Sequence, residues 1–460
     1  MTDQAMPIVP TYFDISDIIR HAQAHHRVSG IQRVQLRLIG QLVSKHGAHQ
    51  IKGIAFLSAS AGWREIDLSF LIDAIEFEPD QMLLACGIQS PGKRPHKSDI
   101  KKKLKAYEHN KLLRAAQKVS LYTQVFLMPG RLERLGFKVY RWKCKYPISF
   151  KPIADIPTRC TYAILGSNWS IPETEARARS HRAKGGQVAQ MIYDLIPITH
   201  TQFHHQGLID DFTQWLRRAH EYSTQFLCIS ENTAKDLKHF LGHDADKVDI
   251  RVTSLPHEFA GYARDSQALS KRPDIAALMD QDFVLCVGTL EIRKNGVGLL
   301  KAWKIVTETL GDQAPTLVFA GGRGWKLDAF DQMLAATGHL NGKVQIIDSP
   351  SDEDLVALYS HCLFTIYPSL YEGWGLPVGE GAWFGKYGVV SATSSLPEVC
   401  GDLMDYVDPE NPQDIAEKAL RPIQDRAYLA SRHEQVRSAP LRTWSDTADQ
   451  VFESLRSKMT

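Results

Sequence analysis

At residues 363–367 the chain reads LFTIY, breaks off into PSLYEGWG, and enters a helix-like stretch near Pro377. An apolar run this short and continuous reads as a strand buried on both faces, the mark of a parallel sheet. Gly373 and Gly375 allow the backbone a tight turn and a close approach to a ligand. The resulting order of strand, loop and helix start is the repeating unit of an open α/β sheet. Ligands bind such sheets at the carboxyl ends of the strands, where the unpaired N–H groups of a helix start favour an anion such as a pyrophosphate. Glu372 and Glu380 flank the turn eight positions apart, and ionised carboxylates accept hydrogen bonds from vicinal sugar hydroxyls.

The same grammar recurs along the chain. Strands are expected at 12–16, 51–58, 162–166, 187–193, 226–230, 250–255, 283–287, 316–320 and 344–347, with a further short one at 82–86. Helical spacing from Ile31 through Val34, Leu38 and Leu42 puts Gly30 at a helix start, and Gly296 opens another after the strand 283–287. A third runs between an acidic start and a glycine stop in PETEARARSHRAKGG, and Ser230 stands as an N-cap. SDEDLVALY begins with an acidic first turn rather than a metal motif. With 460 residues the length suits two or three domains. We divide the chain into an N-terminal Rossmann-like half at 1–262 with a basic insertion at about 91–151, and a polar linker at 263–281. A second half follows at 282–440, with a closing helix at 441–460.

Seven scattered cysteines without a CxxC pair indicate neither a disulfide framework nor a zinc site, and a reducing cytosol fits them. The N-terminus has no basic-then-apolar leader and no run of eighteen apolar residues occurs, so a cytoplasmic protein is expected. The net charge of +2 conceals a segment, 93–151, with 17 Lys or Arg against 3 acids. Leu104, Tyr107, Leu112 and Leu113 recur among its lysines, the pattern either of a basic interfacial helix or of a solvated insertion. An anionic membrane surface at the inner face of the cytoplasmic membrane, or a phosphate-linked acceptor, would complement it. Aromatics interleave with the basic residues, but no recognition motif for nucleic acid accompanies them.

The run 367–398 resembles the Glu-x7-Glu signature of retaining nucleotide-sugar glycosyltransferases of the GT-B fold, family four. Tyr371, the glycine pair, Pro377 and the later SSLPE stand where that family has them. Gly381 and Gly388 replace its usual Ala and Pro, and Trp383 is bulky for its place. The resemblance implies two Rossmann-like domains facing across a cleft, with the C-terminal helix crossing back to the first. It implies that Glu372 touches the transferred sugar, that Glu380 holds the nucleotide ribose, and that backbone amides at Gly375 and Leu376 meet the diphosphate. In FVLCVGTLEIRKNG, Gly288 turns out of the strand as a further donor-site residue, and Arg293 and Lys294 stand where the family neutralises the diphosphate. Arg supplies a planar fork of donors for that task. Gly30 matches a family glycine loop that approaches the donor phosphates, or is an ordinary turn. YDLIP resembles His-Asp-Leu-Ile-Pro, with Tyr193 in place of a His near the reaction centre and Asp194 retained, so this place is either chemical or structural.

The reading that follows is a hexosyltransferase acting with retention, best matched to mannose from GDP-mannose, with a glycan or lipid-linked acceptor of bacterial surface polysaccharide. No cofactor and no metal are expected. His200, His204 and His205 lie at helix-like spacing without a carboxylate partner in a metal pattern. The alternatives are a catalytically weak sugar-nucleotide-binding module, or an enzyme like the glucan synthases and phosphorylases.

Overall fold

A computed structural model describes residues 9–25, 28, 30–58, 61–72, 78–88, 150–259 and 261–456. The basic segment expected to dock on an anionic surface, 93–151, lies outside them but for Phe150 and Lys151. The chain divides into two compact units, Met1–Cys160 and Thr161–Thr460.

In the first unit β1 (Thr11–Asp14) and β2 (Ile51–Ser58) pair in parallel, with Phe13 opposite Gly53. Strands β3 (Gly62–Ile66) and β4 (Phe150–Pro152) add antiparallel at the edge, giving the order β4-β3-β2-β1. The helix Gly30–His46 begins at the expected glycine and buries Val34, Leu38, Ile39 and Leu42. The strand expected at 82–86 is instead the end of a helix, Pro79–Ala85. Pro79 supplies a pre-set φ at the first helical turn, and Met82 to Ala85 are all buried, so no period-2 alternation exists to distinguish helix from strand.

The second unit contains two parallel sheets. One is ordered β5 (Thr161–Ile164), β6 (Gln187–Ile192), β7 (Gln225–Cys228), β8 (Asp249–Val252). The other comprises β9 (Phe283–Val287), β10 (Thr316–Gly321), β11 (Val344–Asp348), β12 (Thr365–Tyr367), β13 (Gly388–Ser391) and β14 (Asp405–Val407). Their spatial order is β11-β10-β9-β12-β13-β14. From β9 the chain winds outward through β10 and β11, then returns to the other side of β9 with β12. The reversal makes the gap between β9 and β12 a topological switch point, where the loops leaving the two strands diverge and open a crevice. Those loops carry Arg293 and Lys294 on one side and Glu372 on the other.

The final helix, Trp444–Arg456, packs back on the first of these sheets. Gln450 donates to the Val252 carbonyl at 3.0 Å, Thr447 to Ser254 at 3.0 Å, and Gln225 to the Ser454 carbonyl at 2.9 Å. The glycines at 381 and 388 have a packing reason: a Cβ at either would lie against Thr365, 3.1 Å from its Cγ2 at 381 and 2.6 Å from its Oγ1 at 388.

Candidate active site

The loop after β9 leaves through Gly288, whose φ of +142° suits only glycine, and makes a single short turn, Ile292–Lys294. Asn295 ends that turn in the left-handed region and caps the helix Gly296–Leu310 through the Gly298 N–H. Its amide group also donates to the carbonyls of Pro368, at 2.9 Å, and Pro409, at 2.7 Å. The β9 loop is therefore tied to the β12 loop by backbone acceptors, and Arg293 and Lys294 are brought to face Glu372 from a fixed base.

The three side chains form a buried ion-pair cluster. Lys294 Nζ donates to Glu372 Oε1 at 2.5 Å, and Arg293 donates from NH1 to Glu372 Oε2 and, at 2.8 Å, to the Tyr371 carbonyl. The other arm of the guanidinium donates from NH2 to Glu291 Oε1 at 2.5 Å. Glu372 and Glu291 are 6% and 5% exposed. Burial by itself would raise the Glu372 carboxyl, but Arg293 and Lys294 beside it hold it down at about 2. Burial likewise opposes the Arg293 charge, and Glu372, Glu291 and Asp194 more than offset it. Two fixed cations thus face the carboxylates of Glu372 and Glu291, with Asp194 beside the guanidinium.

Asp194 follows β6. Its carboxylate accepts the Ile196 N–H at 3.1 Å, and desolvation raises its pKa against the opposing pull of Arg293. The Tyr193 hydroxyl donates to the Leu165 carbonyl at 2.7 Å, a structural bond within its own sheet. Gly373 makes the approach of this segment to Glu372 possible: a Cβ there would sit 2.2 Å from the Tyr193 carbonyl oxygen and 2.9 Å from Asp194 Cβ. The glycine expected to serve a ligand thus serves first to let two distant backbones touch.

Gly375, at φ +114°, heads the helix Leu376–Trp383, whose start has no side-chain cap. One turn on, Glu380 is buried and accepts from the fully buried Tyr359 hydroxyl at 3.2 Å. A cavity of about 220 Å³ lies beneath the β9 loop, lined by Gly288, Glu291, Lys294, Lys326, Phe330 and Leu370 among others. It includes two of the expected donor residues, Gly288 and Lys294, and not Arg293, Glu372, Gly375, Leu376 or Glu380. Gly30, the remaining expected residue, is exposed in the first unit with open space where a Cβ would stand. His200, His204 and His205 do not share a helix; His200 packs on Tyr371 with ring centres 4.1 Å apart. Among the described residues no group of His, Cys, Asp and Glu side chains is arranged to hold a metal ion.

Sequence reasoning missed several members. Glu291 was passed over between Gly288 and Arg293, although an acid two residues before a buried Arg is a natural partner. Tyr371 donates to Asp236 at 2.6 Å and accepts from Asn232 at 2.8 Å. Glu398, in the SSLPE motif, accepts the N–H groups of Glu231 and Asn232 at 2.7 and 2.8 Å and so caps the helix Glu231–Leu241. From the loop after β10, Trp325 donates to the Phe203 carbonyl at 2.9 Å and Lys326 to that of Gln202 at 2.6 Å.

Residues 269–440 match the family model described as glycosyl transferases group 1. This segment contains the switch-point crevice, the ion-pair cluster and the helix start at Gly375. The chain carries a group 1 glycosyltransferase domain on the GT-B fold. An O-antigen chain mannosyltransferase B of Escherichia coli is 28% identical over 269 residues, which cover 58% of this chain and 66% of that protein. A serotype-specific mannosyltransferase WbdA, also of Escherichia coli, is 25% identical over 297 residues, 62% of this chain and 35% of its own length. The match thus spans just under two thirds of the first of these relatives and about a third of the second. In structure the chain is similar to Anabaena Alr3699/HepE in complex with UDP-glucose, with a TM-score of 0.58, 10% identity, and coverage of 98% of this chain and 100% of the other. An α,α-trehalose-phosphate synthase (UDP-forming) from Burkholderia xenovorans gives 0.51 at 12% identity, over 66% of this chain and 74% of that one. These similarities establish the fold of the glycosyltransferase domain.

Proposed function

We propose that this protein transfers a hexose, mannose from GDP-mannose, to a glycan or lipid-linked acceptor of surface polysaccharide, with retention at the anomeric carbon. The observation that carries this reading is the buried Arg293–Lys294–Glu372 cluster at the switch point, in a domain whose relatives include mannosyltransferases of Escherichia coli. In the reaction the acceptor oxygen forms a bond to the anomeric carbon as the bond from that carbon to the diphosphate oxygen breaks, and the bonding pair leaves with the diphosphate. Arg293, Lys294 and the amides at Gly375 and Leu376 meet the charge that develops there. The departing phosphate oxygen takes the acceptor proton. Glu372 accepts hydrogen bonds from the hexose as positive character builds at its anomeric carbon, Glu380 holds the ribose, and Asp194 lies beside the guanidinium. Gly30 and Gly288 complete the donor site. Acceptors belong to the half at 1–262 and donors to that at 282–440, and the basic segment 93–151 docks on anionic lipid at the cytoplasmic face of the membrane. No helix among the described residues is long and apolar enough to cross a membrane.

The deciding experiment is a thermal-shift screen of UDP, GDP, ADP and dTDP sugars, because a ligand that binds the folded form raises its apparent stability. GDP-mannose is expected to give the largest shift, and its turnover with an acceptor an α-linked product. A larger shift with another donor would reassign the sugar, and an inverted product would remove the retaining reading. Pelleting with vesicles of anionic but not neutral lipid, reversed by salt, tests the docking segment.

A further inference from the structure

Glu372 has a second task beyond touching the sugar, and it rests on the donor-site reading above. Both of its oxygens accept from the two cations that a diphosphate would need. A diphosphate and the Glu372 carboxylate are competitors for the same donors. Arg293 is not free to serve both by moving aside: its second arm is held by Glu291, and its backbone carbonyl accepts the Leu370 N–H at 2.9 Å. With two cations already met by the Glu372 and Glu291 carboxylates and with Asp194 beside the guanidinium, an arriving diphosphate must displace an anion to be paired.

The displaced carboxylate decides the rest. Glu372 is almost wholly buried, and a buried carboxylate stripped of its partners is strongly unfavourable. A nucleotide sugar supplies new partners with its hexose hydroxyls, whereas a free nucleoside diphosphate supplies none. We infer that Glu372 is the specificity-determining residue that makes the site hold nucleoside-diphosphate sugar and reject free nucleoside diphosphate. Substrate binding exchanges one set of partners for another. Once the hexose has left, the carboxylate returns to Arg293 and Lys294 and drives the diphosphate product out.

The test is isothermal titration of wild type and Glu372→Gln with two probe pairs, GDP with GDP-mannose and UDP with UDP-glucose. Replacing the carboxylate by a neutral amide removes the competitor, so the diphosphate that wild type binds should bind roughly tenfold more tightly to the variant. The sugar nucleotide should gain less or lose affinity, so the preference for it over the free diphosphate collapses. A thermal unfolding scan establishes that the variant is folded, and Glu372→Ala, which also removes the charge, should repeat the result. Binding of a pair to wild type with an unchanged ratio in both variants would overturn this inference and leave the donor-site reading intact. Failure of both pairs to bind wild type would overturn the donor-site reading and this inference with it.

Discussion

Replacing Gly373 by Ala should lower this protein's activity sharply. The added Cβ would lie 2.2 Å from the Tyr193 carbonyl oxygen, 2.9 Å from Asp194 Cβ and 3.2 Å from the Tyr193 carbonyl carbon. Two of these three atoms are backbone, so no side chain can swing aside. The two segments must part by roughly an ångström to reach ordinary contact, and forced overpacking of this kind costs about 1–3 kcal/mol. The functional loss should be larger than that figure suggests. The displacement separates Asp194 from Arg293 and strains the loop that carries Glu372, and a misplacement of about 1 Å can lower turnover about 100-fold. The assay is donor-dependent turnover at saturating substrate, beside a thermal unfolding curve. Gly207→Ala is the control: it lies in the helix Gln206–Tyr222 with nothing within 4 Å of its added Cβ, and should leave stability unchanged or raised by about 0.4–1 kcal/mol. Turnover and midpoint of Gly373→Ala both equal to wild type would refute the close approach from which the magnitude is worked.

The ion-pair cluster also predicts an acid profile. The Glu372 carboxyl sits at about 2 rather than 4.5, a difference worth roughly 3 kcal/mol of folding stability. Because its folded value is the lower one, that stability is fully present above pH 4.5 and is lost as pH falls through about 2. The gap in urea stability between wild type and Glu372→Gln should therefore narrow between pH 4.5 and 2, and a gap independent of pH would contradict the pairing. Glu380→Ala should weaken nucleotide binding by about 1–3 kcal/mol through the loss of bonds to a charged acceptor; titration showing unchanged affinity would remove its ribose role. Turnover should survive EDTA, since Arg293 and Lys294 are placed to meet the diphosphate charge, whereas abolition reversed by magnesium or manganese would reveal a required metal.

The parts of the fold legible in the sequence were those fixed by local composition. Ile51–Ser58 and Phe283–Val287 stand at the bounds read from the sequence; the second is buried throughout, and a strand covered on both faces of a parallel sheet is a continuous apolar run set off by turn residues. Gly30, Gly296 and Pro377 marked helix starts for equally local reasons. The segment 82–86 failed because its four buried apolar residues fit either period, and only the proline three positions earlier favoured the helix. At the site, residue types were legible and partners were not. Arg293, Lys294 and Glu372 were each assigned to a ligand, yet they bind one another across 78 or 79 positions. The reach of a buried charge is settled by tertiary packing, which no local pattern records. Glu291 and Glu398 were missed on the same ground: an acid in a loop looks solvated until the cation or helix start that it meets is brought beside it.

How Glu372 changes partners depends on what else its loop holds. The Glu372 N–H donates to Ser394 Oγ at 2.9 Å, and the Ser395 hydroxyl donates to the carbonyls of Glu372 and Trp374 at 2.9 and 3.0 Å. Ahead of it the Tyr371 hydroxyl is bound to Asp236, and behind it Gly373 is seated against Tyr193 and Asp194. The backbone is thus fixed on both sides by groups that take no part in the exchange, and apart from the Arg293 bond to the Tyr371 carbonyl the cations hold only the carboxylate. Exchange is therefore a side-chain rotation within a pinned loop rather than an opening of the loop. Amide hydrogen exchange at 371–374 should accordingly be nearly the same with and without bound GDP-mannose, because backbone protection follows local opening. A large gain in protection there on binding would show that the loop is ordered by the ligand, and the two serines of the SSLPE motif would then not be its anchor.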